Sequence, residues 1–394
     1  MDRTRNPYTP NAGAQPPFLA GRRVQLEDFG ILLQRLALGR PERALVVTGL
    51  RGVGKTVLLR EYEQIANSYG WTAVTGEVSK NTSFETQLAM LARKALFQVS
   101  PKAKWGAKAK RAAAVIKSFS LSVQPDGSLT AGLDVDPAFG AADTGQLIDD
   151  LPDVFEAIGE AARERGSGVV FLFDEIQFLS AMELEALLAA VHRAVHRRLP
   201  VTFSGAGLPQ VPGLAGDAKS YAERLLRYVS IQELAKDDAL RAVAQPAEDE
   251  SVPFDAAAAE AVYHYSQGYP YFIQEYGRAA WNVAPGPGIS LEDVEAARVE
   301  VEAELDESYF RTRVQRSTKE ELRYMRAMAE LGAEEQKAAE VAEVLGKTSE
   351  QVAPLRARLI NKGLLFTPRF GFAKFTVPQF DVFMKRYMDL DGEN

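Results

Sequence analysis

Through residues 1–234, short continuous apolar runs alternate with longer stretches in which apolar residues recur every three or four positions. The runs at 44–48, 71–78, 169–173 and 201–204 are rich in Val, Phe and Thr and read as buried strands. The stretches 26–38, 56–69, 83–99, 147–165 and 182–197 carry the helical period. Strands alternating with helices predict an α/β domain with a parallel sheet. Residues 119–135 alternate and contain Asp126-Gly127, a turn dipeptide, which predicts a β-hairpin inserted at about 118–136. From Ala235 the strand runs stop. Helical patterns continue through Pro246 and Gly268-Tyr269-Pro270 to Trp281. The loop Pro285-Gly286-Pro287-Gly288 then precedes a long acidic helix at 291–309.

The ends of the chain read differently. Residues 1–17 are rich in Pro, Asn and Gly and predict an extended arm. Near the other end, 338–346 and 349–364 read as helix, turn, helix, with Ser349 as N-cap and Val352, Leu355, Leu359 and Ile360 as the apolar stripe. Two strand patterns then flank a turn at 368–371, giving a winged-helix outline. The expected organisation is an arm at 1–20, an α/β core at 21–234, a helical lid and linker helix at 235–310, and a winged-helix domain at 318–390.

Composition narrows the class. With 394 residues, 46% hydrophobic and 25% charged, the chain is an ordinary globular protein of two or three domains. It has no cysteine, which excludes disulfides and thiolate metal sites. No apolar run of about 18 residues is present and no secretory leader is expected, so a cytoplasmic protein with no membrane contact is expected. The net charge of −7 gives no global attraction to nucleic acid, so such binding would need a local basic patch. His192 and His196, four apart, could hold a metal, but no HExxH pattern or third ligand accompanies them.

The strongest chemical signal is Gly49-Leu50-Arg51-Gly52-Val53-Gly54-Lys55-Thr56, a full GxxxxGK[ST] match between an apolar strand and a helix. Glycines let successive N–H groups face phosphates, and the helix N-terminus adds positive potential. The nucleotide-binding residues expected here are Gly49, Arg51, Gly52, Val53, Gly54, Lys55, Thr56 and Val57. Lys55 is expected at the β- and γ-phosphates and Thr56 at Mg²⁺. The run Phe171-Leu172-Phe173 ends in Asp174-Glu175. Asp174 suits the magnesium shell and Glu175 the polarisation of an attacking water, so ATP hydrolysis is expected.

These features, with Leu19-Ala20-Gly21-Arg22, VTFSGAGLPQ, AKSYAERL and GYPYF, resemble AAA+ ATPases of the origin-recognition (replication-initiator) branch, near the STAND and archaeal-type ATPases. The resemblance implies adenine contact by Gly21 and Arg22 and lid contact by Tyr269 and Pro270. It implies a water-positioning role for Ser204 and an arginine finger at Arg224 that would join a homo-oligomer, with Arg227 as the competing choice. Arg278 lies two turns beyond the lid position where a phosphate-sensing arginine often falls, so turnover is expected to be slow.

From Gly346 to Arg386, eight basic residues face two acidic ones, Glu350 and Asp381. Lys347, Arg356, Arg358, Lys362, Arg369 and Lys374 are therefore candidate contacts to double-stranded DNA through the second helix and wing. A protein-contact or autoinhibitory winged helix is the alternative. Residues 101–117 carry six basic residues around Trp105 and form a second candidate phosphate-contacting surface. The function expected is an ATP-dependent switch that controls the C-terminal domain.

Overall fold

The computed structural model describes residues 1–11, 13–218 and 222–388, so Lys219, Ser220 and Tyr221 of the AKSYAERL motif lie outside the described residues, as do 389–390. The chain forms two compact units. The first comprises residues 22–48 and 55–230, and the second comprises 1–21, 49–54 and everything from Ile231.

In the first unit, β1 (Ala44–Thr48), β2 (Thr72–Glu77), β3 (Val169–Asp174), β4 (Val201–Gly207) and β5 (Leu226–Ser230) form one sheet. The order is β2-β3-β4-β1-β5 and every pairing is parallel. β1 and β4 are buried throughout and β3 in all but Asp174, which explains their unbroken apolar runs. The register sets Thr48 against Gly207 and Ser230, and Glu77 against Asp174, so the carboxyl ends share one edge. Helices Phe84–Val99, Leu147–Glu164 and Ala181–His196 contribute to the core beside the strands. Phe155 stacks on Phe171 at 4.9 Å, and Phe84 meets Phe173 edge-on.

The expected hairpin at 118–136 is not formed. Helix Ala107–Val123 runs through its first half, and no strand follows before Val169. Ala112, Ala113, Val115, Ile116 and Phe119 are buried, a helical period that outweighs the two-residue alternation of 119–123. The turn at Asp126-Gly127 is real: Asp126 accepts from Ser128 N–H at 2.9 Å and Gly127 has φ +76°. It connects irregular chain instead of two strands. Part of the basic segment before it is internally committed. Lys102 pairs with Asp134, Lys108 pairs with Glu160 at 2.7 Å, and Trp105 stacks on Phe97 at 5.7 Å.

In the second unit, helices Lys236–Asp249, Ala256–Ser266, Pro270–Val283 and Leu291–Glu304 form the lid, and the arm is laid against it. Asp2 accepts from the Trp281 indole at 2.9 Å, and Asn6 donates to the Arg278 carbonyl at 2.9 Å. Tyr8 is 3% exposed and its hydroxyl donates to the Val243 carbonyl. A side chain at Gly277 would meet the Tyr8 ring at 2.4 Å, so the ring seats only on bare backbone.

Beyond the lid come helix Lys319–Leu331, β6 (Gln336–Lys337), helices Ala338–Val344 and Ser349–Asn361, β7 (Leu365–Phe366), β8 (Phe372–Phe375) and helix Phe380–Tyr387. The strands form an antiparallel sheet of order β6-β8-β7. Thr348, not Ser349, caps the second of these helices, through a reciprocal pair with Gln351. Lid and C-terminal segment share one core, in which Phe310 packs on Phe380 and Phe383 at 5.9 and 5.1 Å.

Glu321 pins this segment together. It is fully buried and accepts from Lys362 at 2.6 Å, Arg358 at 3.2 Å and the Thr318 N–H at 2.8 Å. Burial pushes its carboxyl up, but these donors together outweigh burial and hold it below the usual glutamate range. Its contribution is therefore present above the ordinary glutamate pKa and is lost as pH falls through the lowered folded value. Glu321→Ala should lower unfolding stability by about 2–4 kcal/mol at neutral pH in urea titrations, and by much less in strong acid.

Candidate functional site

The loop from Thr48 to Lys55 belongs to the carboxyl edge of the sheet by sequence, since it leaves β1 and opens helix Lys55–Ser68. Gly52 and Gly54 have φ of +84° and +94°, values that side chains strongly disfavour. A Cβ on Gly49 would stand 2.4 Å from the Ile231 carbonyl oxygen. Lys55, Thr56 and Val57 form the first helical turn, where N–H groups lack intrahelical partners and attract anions. Lys55 is 7% exposed, whereas Thr56 is exposed.

The structure brings together the two residues expected at the metal. The Thr56 hydroxyl donates to Asp174 Oδ2 at 2.5 Å, and Asp174 Oδ1 accepts from the Glu175 N–H at 2.8 Å. Burial pushes the Asp174 carboxyl above its usual range and the Glu175 charge adds to this, against the pull of Thr56, the Glu175 N–H and Lys55. A half-buried carboxylate raised in this way gains from a nearby cation.

Glu175 follows in a left-handed backbone conformation, with φ +55° and ψ +36°. Its carboxylate accepts from the Gln177 amide, and Gln177 Oε1 in turn accepts from the Leu208 N–H at 3.1 Å, just past β4. Gln177 was not visible as a site residue from the sequence. Its only signal is a polar position in an otherwise apolar stretch after the two acids.

Ser204 does not fit the role expected of it. It lies in the middle of β4, is fully buried, and its hydroxyl donates to the Leu45 carbonyl at 2.7 Å. That bond ties β4 to β1 and leaves no hydroxyl for a water. Arg227 is committed to Asp28 at 2.6 Å, while Arg224 is exposed in the short helix Ala222–Leu225. Arg22 is 7% exposed.

In the other unit, the crown of the glycine loop meets two neighbours. The Tyr271 N–H donates to the Gly52 carbonyl at 3.3 Å, and the Arg51 N–H donates to the Thr376 carbonyl at 2.9 Å. Tyr269 and Pro270 open helix Pro270–Val283, and burial together with Glu233 raises the Tyr269 phenol above its usual value. Gly21 lies against Asp238. Arg278 is held by Glu275 at 3.0 Å and Glu304 at 2.5 Å.

The basic C-terminal residues are mostly neutralised by acids that precede Gly346. Lys347 pairs with Glu320, Arg358 and Lys362 with Glu321, Arg369 with Glu335, and Lys374 with Glu334. Arg356 is half-buried. Counting charge only from Gly346 onward therefore overstated the patch.

Among the described residues no helix is long and apolar enough to cross a membrane. No curated protein sequence matches the chain. Residues 307–384 match the family described as Domain of unknown function (DUF8462). In shape the chain is similar to the Walker-type ATPase of Pyrococcus abyssi, with TM-score 0.52 at 15% identity, covering 94% of this chain and 97% of that one. It is also similar to the Aeropyrum pernix ORC2 protein in its ADP form, with TM-score 0.52 at 16% identity and 98% of each chain covered. Residues 19–204 match the AAA ATPase domain. The glycine loop that opens a helix and the Asp174-Glu175 pair that closes a strand of the five-stranded parallel sheet both fall within this matched stretch, and the protein is an ATPase.

Proposed function

We propose that this ATPase is a nucleotide switch in which ATP at the glycine loop controls the docking of the C-terminal domain. The observation that carries this reading is the bond from the Arg51 N–H to the Thr376 carbonyl. A loop amide next to the phosphate cradle is engaged by a carbonyl two residues before Pro378, just past β8. Nucleotide and C-terminal domain thus draw on the same short loop.

Within this reading, Lys55 and the first-turn N–H groups bind the phosphates. Thr56 and Asp174 offer the oxygen donors that suit Mg²⁺, which would neutralise phosphate charge when bound. Glu175 polarises the attacking water, and Gln177 holds Glu175 in place from the end of β4. Gly21, Arg22, Tyr269 and Pro270 serve the adenine. Arg224 is the candidate finger for a neighbouring copy, since Arg227 is already bound to Asp28.

The order of helices and strands from Lys319 to Tyr387 supports a winged helix, and its paired cations favour an intramolecular or protein contact. Duplex DNA is a second reading, favoured by the fully exposed Phe370 at the β7–β8 tip beside Arg369.

Lys55→Ala should abolish nucleotide binding in calorimetry. Glu175→Gln should keep that binding and lower turnover by about 10²–10⁴-fold in a phosphate-release assay, whereas full turnover would remove Glu175 from the mechanism. Hydrogen exchange in residues 363–377 should be faster in ATP-loaded Glu175→Gln than in its ADP state. Equal exchange in both states would overturn nucleotide control of docking. Fluorescence anisotropy with labelled duplex across a salt series separates the second reading. Steeply salt-dependent binding supports DNA contact, and no binding at low salt leaves the intramolecular role.

A further inference from the structure

Between the lid and the C-terminal segment lies a cavity of about 180 Å³ to which the ATPase reading gives no ligand. Its walls all belong to the second unit. Of the glycine loop only Leu50 reaches it, and its charged groups are Glu233, Glu334, Asp381 and Lys374. Three carboxylates against one ammonium give it an acidic lining, the opposite of what a phosphate needs.

Asp381 is the informative member. It is 9% exposed and lines the cavity, and among the described residues no hydrogen bond or ion pair closes its carboxylate. A carboxylate buried this far ordinarily has a donor, because losing water without one is costly. Its place in the first turn of helix Phe380–Tyr387 gives it the positive end of the helix dipole but no donor. Lys374, the cation in the wall, already pairs with Glu334 at 2.8 Å. Asp381 therefore faces the cavity with an unmet charge.

The field of the other acids is felt at Tyr269. Burial pushes its phenol up, and Glu233 and then Glu334 add to that. Between the charged groups the wall is apolar, built from Phe375, Val377 and Pro378. Among the described residues no three acids or histidines come together as a metal site would require. Separate carboxylates joined by apolar wall suit an elongated cation, whose methylenes lie on carbon while its charged ends reach oxygen.

Two further residues of the wall, Gln267 and Gln379, hold left-handed backbone, with φ of +52° and +58°. Side chains kept in that region recur where a structure serves a ligand. Gln379 is fixed there by donating to the Tyr265 carbonyl at 2.8 Å.

We propose that this cavity binds a small aliphatic diamine, with one ammonium on Asp381 and the other toward Glu233. Glu233 lies just before the first lid helix and Asp381 in the last helix of the chain, so the bound diamine joins lid to C-terminal segment by charge. Nucleotide plays no part in this binding.

The test is calorimetric titration of the full chain, without nucleotide and at fixed ionic strength, with putrescine and with butylamine as its one-ended counterpart. Thermal melts confirm that each variant is folded. Wild type should bind putrescine about 10-fold more tightly than butylamine, the scale of a second charged contact. Asp381→Asn and Glu233→Gln should each weaken putrescine about 10-fold. No binding of putrescine below about 10 mM, equal affinity for the two amines, or wild-type affinity in Asp381→Asn overturns the assignment. Displacement of putrescine by an equal concentration of magnesium chloride overturns the diamine as the ligand class. If Asp381→Asn does not fold, Glu233→Gln decides, since weakened binding supports the proposal and wild-type affinity overturns it.

Discussion

Six residues between β1 and helix Lys55–Ser68 constrain most of what this chain does. Gly52 and Gly54 hold backbone conformations that only glycine adopts easily, and Gly49 has no room for a side chain. A loop so shaped presents its amides outward, and polar backbone groups seldom remain without partners. In this structure the partners include the Thr376 carbonyl, and the Gly52 carbonyl takes the Tyr271 N–H. The loop is therefore a point where lid and C-terminal segment attach.

The catalytic half is organised by the parallel sheet. Because all five strands run the same way, the ends of β1, β3 and β4 come to one edge, and with them the start of the loop, Asp174 and the approach to Leu208. Gln177 makes use of this by bonding both Glu175 and the Leu208 N–H. The position of Glu175 thus depends on the strand beside it. Any displacement of the β4 end is felt at the carboxylate through one side-chain amide.

The C-terminal segment shows how charge read along a chain differs from charge in space. Its cations are spent on Glu320, Glu321, Glu334 and Glu335, which precede it in sequence, and Glu321 is buried while doing so. The fold gains a fixed joint between helices Lys319–Leu331 and Ser349–Asn361, at the expense of a continuous basic surface.

What the sequence determined by itself was whatever depends on neighbours along the chain. The glycine loop, the strand that ends in Asp174-Glu175 and the alternation of strands and helices are local patterns, and each lies where the spacing put it. The hairpin failed for the same reason: residues 119–123 satisfy two local periods, and only burial of Phe119 beside Ile116 selects the helix. Ser204 likewise looked like a strand end because Gly205 follows it, whereas pairing with β1 carries β4 on to Gly207. The partners of the C-terminal cations and the anchoring of Gln177 on the Leu208 N–H were decided by tertiary structure alone. Each is a meeting of groups whose distance along the chain carries no periodic signal.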